Sequence, residues 1–184
     1  QTAFLRYLFG TVFLLPININ SFRDIQIKLI NKFILRSFFH AIGVSLWFYS
    51  MTVITIAEVT AIGYLTPIFV CIGAIILFKE NIKGFRAFAI TLSFIGAMII
   101  LRPGFQEVNL GQYSMLLAAF VFSFSYLMVK YLAETKSSLE IVGYLSLFTT
   151  IFLTPIGLIN WVELNTDQIS IIILISIIAT VGHL

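Results

Sequence analysis

Long apolar runs alternate along this chain with short stretches where the charges collect. A helix rises about 1.5 Å per residue and needs about 20 apolar residues to cross the hydrocarbon core of a bilayer. Seven runs approach that length: a, residues 2–19; b, 37–56; c, 60–78; d, 85–101; e, 111–131; f, 141–162; and g, 169–184. Each run is continuously apolar and does not alternate residue by residue, so the pattern predicts helices and not strands of a barrel.

Composition supports lipid as the solvent. Hydrophobic residues make up 60% of the 184 and charged residues 10%, against about 25% charged in an ordinary soluble domain. A water-soluble fold of this size must still present much of its surface to solvent and could not hide so many apolar side chains. A bilayer removes that requirement, provided the backbone satisfies its own hydrogen bonds. The single cysteine, Cys71, lies inside an apolar run, has no partner in the chain and reads as a small packing residue.

The formal charge of +3 matters through its placement. Arg23, Lys28, Lys32 and Arg36 fall between a and b, Lys79, Lys83 and Arg86 between c and d, and Lys130 and Lys136 around the e–f connection. The remaining connections hold Arg102 alone, and Arg6 sits within a span. This alternation is what seven true crossings would produce. The positive-inside tendency assigns the basic loops 20–36, 79–86 and 130–140 to the cytoplasm, so span a runs inward. Residues 24–36 alternate Ile, Leu and Phe with Lys and Arg, and read equally as an interfacial helix or a basic loop.

The chain also repeats itself. Residues 9–17 read FGTVFLLPI and residues 148–156 read FTTIFLTPI, with six of nine positions identical at an offset of 139, Pro16 matching Pro155. Ala41 and Leu46 of span b match Ala179 and Leu184 of span g at an offset of 138. Spans a and b thus pair with f and g, five spans later. An odd number of spans per copy makes the second copy enter from the opposite face, the inverted-topology arrangement of many secondary transporters. The expected fold is an all-α membrane protein, a multi-span helical bundle of two inverted five-helix repeats. Residues 1–104 would form the first repeat without its opening span, and 111–184 the second without its last two. On that count seven of ten spans are here, and the chain, which starts at Gln1 within one apolar run and ends at Leu184 within another, reads as part of a longer protein.

Three further stretches carry a family resemblance. They are LWFYSMTVITIAEVTAIGYLTPIF at residues 46–69, FKE at 78–80 and IGAMIILRPG at 95–104. An aromatic-rich span, a short turn, a span with an internal proline closed by a glutamate, and a span ending in Arg-Pro-Gly resemble, in that order, the EamA family of the drug/metabolite transporter superfamily. SFSY at residues 123–126 looks like part of its sixth span, and the similarity runs over essentially the whole chain as spans two to eight of ten. The resemblance implies a carrier of amino acids, vitamins such as riboflavin, S-adenosylmethionine or comparable amphipathic metabolites. It also implies the inner membrane of a prokaryote or an organellar counterpart.

Candidate cavity residues follow from helical spacing and polarity. His40, Gly43, Trp47 and Ser50 share a face of span b, Tyr64 stands three residues before Pro67 on span c, Ser123 and Tyr126 share a face of span e, and His183 ends span g. Aromatic faces suit planar or cationic ligands, although the same residues also fill helix contacts and interfacial belts. Glu58, placed in a b–c connection at residues 57–59, reads as a gate at the outer mouth or as a solvated turn. Arg6 reads as an outer headgroup anchor or a ligand contact. Glu80, Arg102, Pro103 and Gly104 read as structural, closing spans c and d. Pro67 reads as a hinge, and Gly63, Gly73, Gly96 and Gly143 as points of close helix packing.

The function these features predict is secondary transport of small amphipathic metabolites by alternating access. Two alternatives stay open at this point: a membrane protein of structural or assembly role, and an intramembrane enzyme. The spans offer no paired carboxylates, no nucleophile–base pair and no His/Glu metal spacing, and no glycine-rich phosphate loop ends in Lys-Ser/Thr. No catalytic residue, cofactor, metal or nucleic acid is therefore expected. The expected partners are a small-molecule substrate and the bilayer, with assembly as a homodimer left open.

Overall fold

The structure is a computed structural model and describes residues 1–23, 27–81, 83–101, 109–159 and 161–184. Eight helical segments are found among the described residues: α1 (Thr2–Arg23), α2 (Ile27–Val53), α3 (Ile56–Gly63), α4 (Thr66–Phe78), α5 (Gly84–Leu101), α6 (Leu110–Ala133), α7 (Ser138–Leu158) and α8 (Thr166–Gly182). Among the described residues, five stretches are long and apolar enough to cross a membrane, namely Thr2–Ile19, Leu29–Val53, Ile56–Phe78, Leu110–Ala133 and Ser138–Leu158. Gly84–Ile99 and Thr166–Gly182 are shorter apolar helices.

Local chemistry sets where several of these helices begin. Thr55 Oγ1 accepts from the Glu58 backbone N–H at 3.3 Å, while Glu58 Oε2 accepts from the Thr55 N–H at 3.0 Å. Ser137 with Glu140, Asn165 with Gln168 and Asn109 with Gln112 exchange the same pair of bonds at the starts of α7, α8 and α6. Each reciprocal pair satisfies two backbone donors that the first helical turn would otherwise leave without a partner.

Three boundaries differ from those read off hydropathy. The b–c connection is Ile54 and Thr55, and Glu58 belongs to the first turn of α3, drawn there by its cap. Residues 27–36 are neither a loop nor a separate interfacial helix but the opening turns of α2. Span c is two helices, broken at Tyr64 and Leu65. Pro67 has no N–H to offer the carbonyl of Gly63. The Leu65 N–H turns back to Ile62 O at 2.9 Å, and the helical ladder resumes with Phe69 N–H to Leu65 O at 3.0 Å. Arg102, Pro103 and Gly104 lie outside the described residues.

The chain divides into two compact units, Gln1–Ala41 with Met128–Leu184, and Ile42–Leu127, so α2 and α6 contribute to both. In the first unit α1 runs antiparallel to α7. Gln1 bonds to Val162, a methyl on Gly157 would meet Phe4, Thr11 Oγ1 lies 3.1 Å from Thr150 Oγ1, and Asn18 Nδ2 donates to Leu139 O at 3.2 Å. Pro16 and Pro155 are both carried inside these helices. At the basic end Phe33, Leu132, Ile141 and Tyr144 form a small apolar core, and the Arg36 Nη1 donates to Ile141 O at 2.9 Å.

In the second unit the core gathers Ile54, Val59, Ile62, Leu65, Ala97, Met115, Ala118 and Ala119. Ser50 Oγ donates to Gly111 O at 2.9 Å and Ser114 Oγ to Leu46 O at 3.1 Å, tying α2 to α6. Small residues and hydroxyls at such crossings let helix backbones approach closely. Around these interiors the polarity of a soluble protein is reversed. Ser37, Ser50, Ser125, Thr149 and Ser176 are fully buried, while Ile76, Phe85 and Ile99 are 70%, 86% and 65% exposed. Apolar surface on that scale is compatible with lipid and not with water.

Candidate functional site

The second unit contains a cavity of about 640 Å³ at the break between α3 and α4. Gly63, Thr66 and Pro67, which flank the break, form part of its wall, with Cys71 one turn further along α4. Arg86, Ile90 and Ser93 of α5 and Phe122 and Tyr126 of α6 complete much of the remainder. The wall is mainly apolar, with hydroxyls from Thr66, Ser93 and Tyr126 and, among the described residues, a single charged side chain, Arg86. Pockets of about 300–1,000 Å³ with a few convergent polar groups are the usual form of small-molecule sites.

The turn that carries Arg86 into this wall is shaped by the end of α4. Lys79 adopts the left-handed conformation (φ 54°), and its N–H and that of Glu80 turn back to the Ala74 carbonyl, closing the helix. A left-handed residue at this position is the common helix stop, usually supplied by glycine. Across the turn Glu80 Oε2 lies 3.5 Å from Arg86 Nη1, with both side chains open to solvent.

The first unit holds a compact polar cluster of its own. The Tyr7 hydroxyl and His40 Nε2 share a hydrogen bond of 2.7 Å, both residues being buried. The His183 ring stands edge-on to His40 at 6.1 Å between centroids, and the Arg6 guanidinium lies over the Tyr7 ring at 4.5 Å. Histidine and tyrosine can each give or accept a proton, so the pair is chemically able to hold or pass one. His40 sits near the middle of the apolar stretch Leu29–Val53, where a buried ionisable group marks a candidate functional position.

The sequence-predicted residues therefore fall into separate places. His40 and His183 come together, joined by Tyr7, which hydropathy and spacing did not single out. Pro67 and Tyr126 come together in the cavity. Trp47 packs on the second unit's core with its ring edge-on to Phe48, and Ser50 is consumed by helix pairing. Ser123 Oγ donates to Phe120 O at 2.6 Å within its own helix, and Tyr64, in the break itself, is 59% exposed and does not line the cavity. Glu58 is held by its cap, and Gln112 Nε2 donates to its other oxygen at 2.8 Å, so two capping pairs are joined through one carboxylate. Arg86 and Cys71 are wall residues that the sequence reading treated as a loop charge and a packing residue. Among the described residues no group of three His, Cys, Asp or Glu side chains is placed to hold a metal.

An all-helical, multi-span membrane protein with a ligand-sized cavity beside a broken span defines a class, and comparison with known proteins names it. The chain matches the EamA-like transporter family over residues 1–102 and belongs to it. It is 24% identical over 174 residues to an S-adenosylmethionine uptake transporter of Rickettsia prowazekii, covering 94% of this chain and 59% of that protein. It is 28% identical over 160 residues to a riboflavin transporter of Brucella anthropi, covering 86% and 55% respectively. A riboflavin transporter of Vibrio cholerae is 32% identical over 142 residues, 77% of this chain and 48% of that protein. The chain thus spans about half to three fifths of the length of these curated relatives.

Proposed function

We propose that the whole protein is a secondary transporter that moves small amphipathic metabolites across the inner membrane by alternating access, with the cavity at the α3–α4 break as part of the substrate path. The observation that carries this reading is the coincidence of the break with the cavity. Discontinuous helices commonly build substrate sites in such carriers, because interrupted backbone is tolerated at membrane depth only beside protein or a water-filled space. The relatives' named cargoes, S-adenosylmethionine and riboflavin, both carry a planar ring system, which the aromatic wall of Phe122 and Tyr126 would suit.

The proposal includes the inverted repeat, with residues 1–104 and 111–184 as its two parts and ten spans in the whole protein. Its support is the register of α1 against α7. Thr11 and Thr150, which bond to each other, are 139 positions apart, the offset of the sequence repeat. A methyl on Gly143 would meet Asn18 and one on Gly157 would meet Phe4. Asn18 is the repeat counterpart of Gly157 and Phe4 that of Gly143, so the two contacts exchange when the repeats are exchanged. Burial follows the same rule: Val12 and Ile151 are each 55% exposed, Ile17 and Ile156 each 60%, Leu14 and Leu153 4% and 3%. The basic turns lie on the cytoplasmic side in this reading.

The test is uptake of labelled S-adenosylmethionine, riboflavin and amino acids by full-length protein in liposomes. Saturable uptake of at least one, weakened by Tyr126→Ala, is expected. Uptake of none would refute the carrier, and turnover of lipid or peptide in its place would favour the enzyme alternative.

A further inference from the structure

We propose that the cavity at the α3–α4 break selects an organic anion, a molecule with an apolar planar body and one carboxylate or phosphate group, and that Arg86 receives that group. The proposal rests on the carrier reading of the same cavity and adds its charge selectivity. The wall supplies apolar and aromatic surface along most of its extent, so a ligand's body is recognised without charge. At Arg86 the wall changes character. The guanidinium presents five N–H donors in a planar fork, a geometry that matches carboxylate and phosphate oxygens two at a time.

Two features of the turn leave that fork able to take a ligand. The contact to Glu80 is long, 3.5 Å to one nitrogen, and the two side chains are 60% and 36% exposed, so solvent screens it and little holds it closed. Arg86 also sits in the first turn of α5, where its backbone N–H bonds to Lys83 O at 2.9 Å. A helix N-terminus carries partial positive charge, so a cation there is in unfavourable company that an anion relieves. Lys79 and Lys83 flank the same turn and add to the positive potential. A soluble metabolite and the phosphate of a phospholipid headgroup share the chemistry this end of the cavity recognises.

Matched pairs that differ only in charge test the idea. Full-length protein in detergent is dialysed against labelled indole-3-acetate or indole-3-acetamide, and against nicotinate or nicotinamide. The acids should bind roughly tenfold tighter than the amides, as expected of a charged hydrogen-bonded contact. In Arg86→Gln the preference should fall to about one, whereas in Glu80→Gln, which breaks the same ion pair but keeps the guanidinium, it should persist. Equal binding of acid and amide by the unaltered protein, or loss of the preference in both variants alike, overturns the proposal. Should Arg86→Gln not fold, phenylglyoxal modification of the unaltered protein replaces it: indole-3-acetate but not the amide should protect Arg86, and equal protection overturns the proposal. Displacement of indole-3-acetate by dioleoylphosphatidylglycerol but not dioleoylphosphatidylcholine assigns the anion to a lipid headgroup, and displacement by neither assigns it to a soluble metabolite. Uptake without the acid preference would leave the carrier standing and remove this proposal. The preference without uptake would do the reverse.

Discussion

Gly157 faces Phe4 so closely that a methyl group built on it would lie 2.5 Å from the Phe4 Cβ, an atom fixed to the α1 backbone and unable to swing aside. Gly96 on α5, by contrast, has nothing within 4 Å. Sequence alone puts Gly96 and Gly143 in the same category, small residues in apolar runs, because composition carries no information about which face of a helix meets a neighbour. The two kinds separate by experiment. Gly157→Ala should destabilise full-length protein by about 1–3 kcal/mol, the usual penalty of overpacking, read as a lowered midpoint of thermal unfolding in detergent. Gly96→Ala should leave the midpoint unchanged or slightly raised, since alanine is the better helix former by about 1 kcal/mol. Equal loss in both would mean that glycine matters here for helix flexibility and not for the α1–α7 contact.

Individual helices were partly legible before the structure, and the reason divides cleanly. Each of the seven apolar runs holds helix among the described residues, five of them long enough to cross a membrane, because burying backbone in lipid requires its hydrogen bonds to be made within the segment. The starts were encoded as well, in Thr55-x-x-Glu58, Asn109-x-x-Gln112, Ser137-x-x-Glu140 and Asn165-x-x-Gln168, four instances of the reciprocal capping pattern, which a reading by hydropathy passes over. That omission placed Glu58 in a connection. The division of span c was signalled by Pro67, but proline inside α1 and α7 leaves those helices continuous, so the residue by itself does not decide between a bend and a break. Pairing of elements is where the repeat informs most. If α1 and α7 are equivalent helices crossing on a two-fold axis, Thr11 and Thr150 flank that axis and their hydroxyls face each other at 3.1 Å, each also within reach of its own i−4 carbonyl, Tyr7 O or Ser146 O. Thr11→Val, Thr150→Val and the double variant form a cycle whose coupling should be about 0.6 kcal/mol, with about 1.7 as the upper end for such bonds in membranes. Unfolding in mixed detergent measures it. Additive single effects would remove the Thr–Thr bond from the account of how the two helices recognise each other.

For the molecule as a whole, the placement of charge makes the sharpest statement. Nine of the eleven basic residues fall on the a–b, c–d and e–f side, and the cavity's Arg86 is one of them. Whether the shorter helix α5 crosses the bilayer decides whether that alternation is a topology or a coincidence, since dropping it would invert every later segment. Single cysteines introduced into a Cys71→Ser background give the answer. Ile56→Cys and Glu163→Cys lie at exposed positions on the predicted outer side, Asn81→Cys and Thr135→Cys at exposed positions on the inner side. In right-side-out vesicles a membrane-impermeant maleimide should label the first pair directly, and the second pair only after permeabilisation. Asn81 precedes α5 and Thr135 follows α6, so with α6 spanning the membrane their agreement requires α5 to cross as well. Labelling of Thr135→Cys from outside with Asn81→Cys protected would mean that α5 lies along the membrane. The two repeats would then enter from the same face, α1 and α7 would both run inward, and the antiparallel packing of these helices and the inverted repeat would fall together.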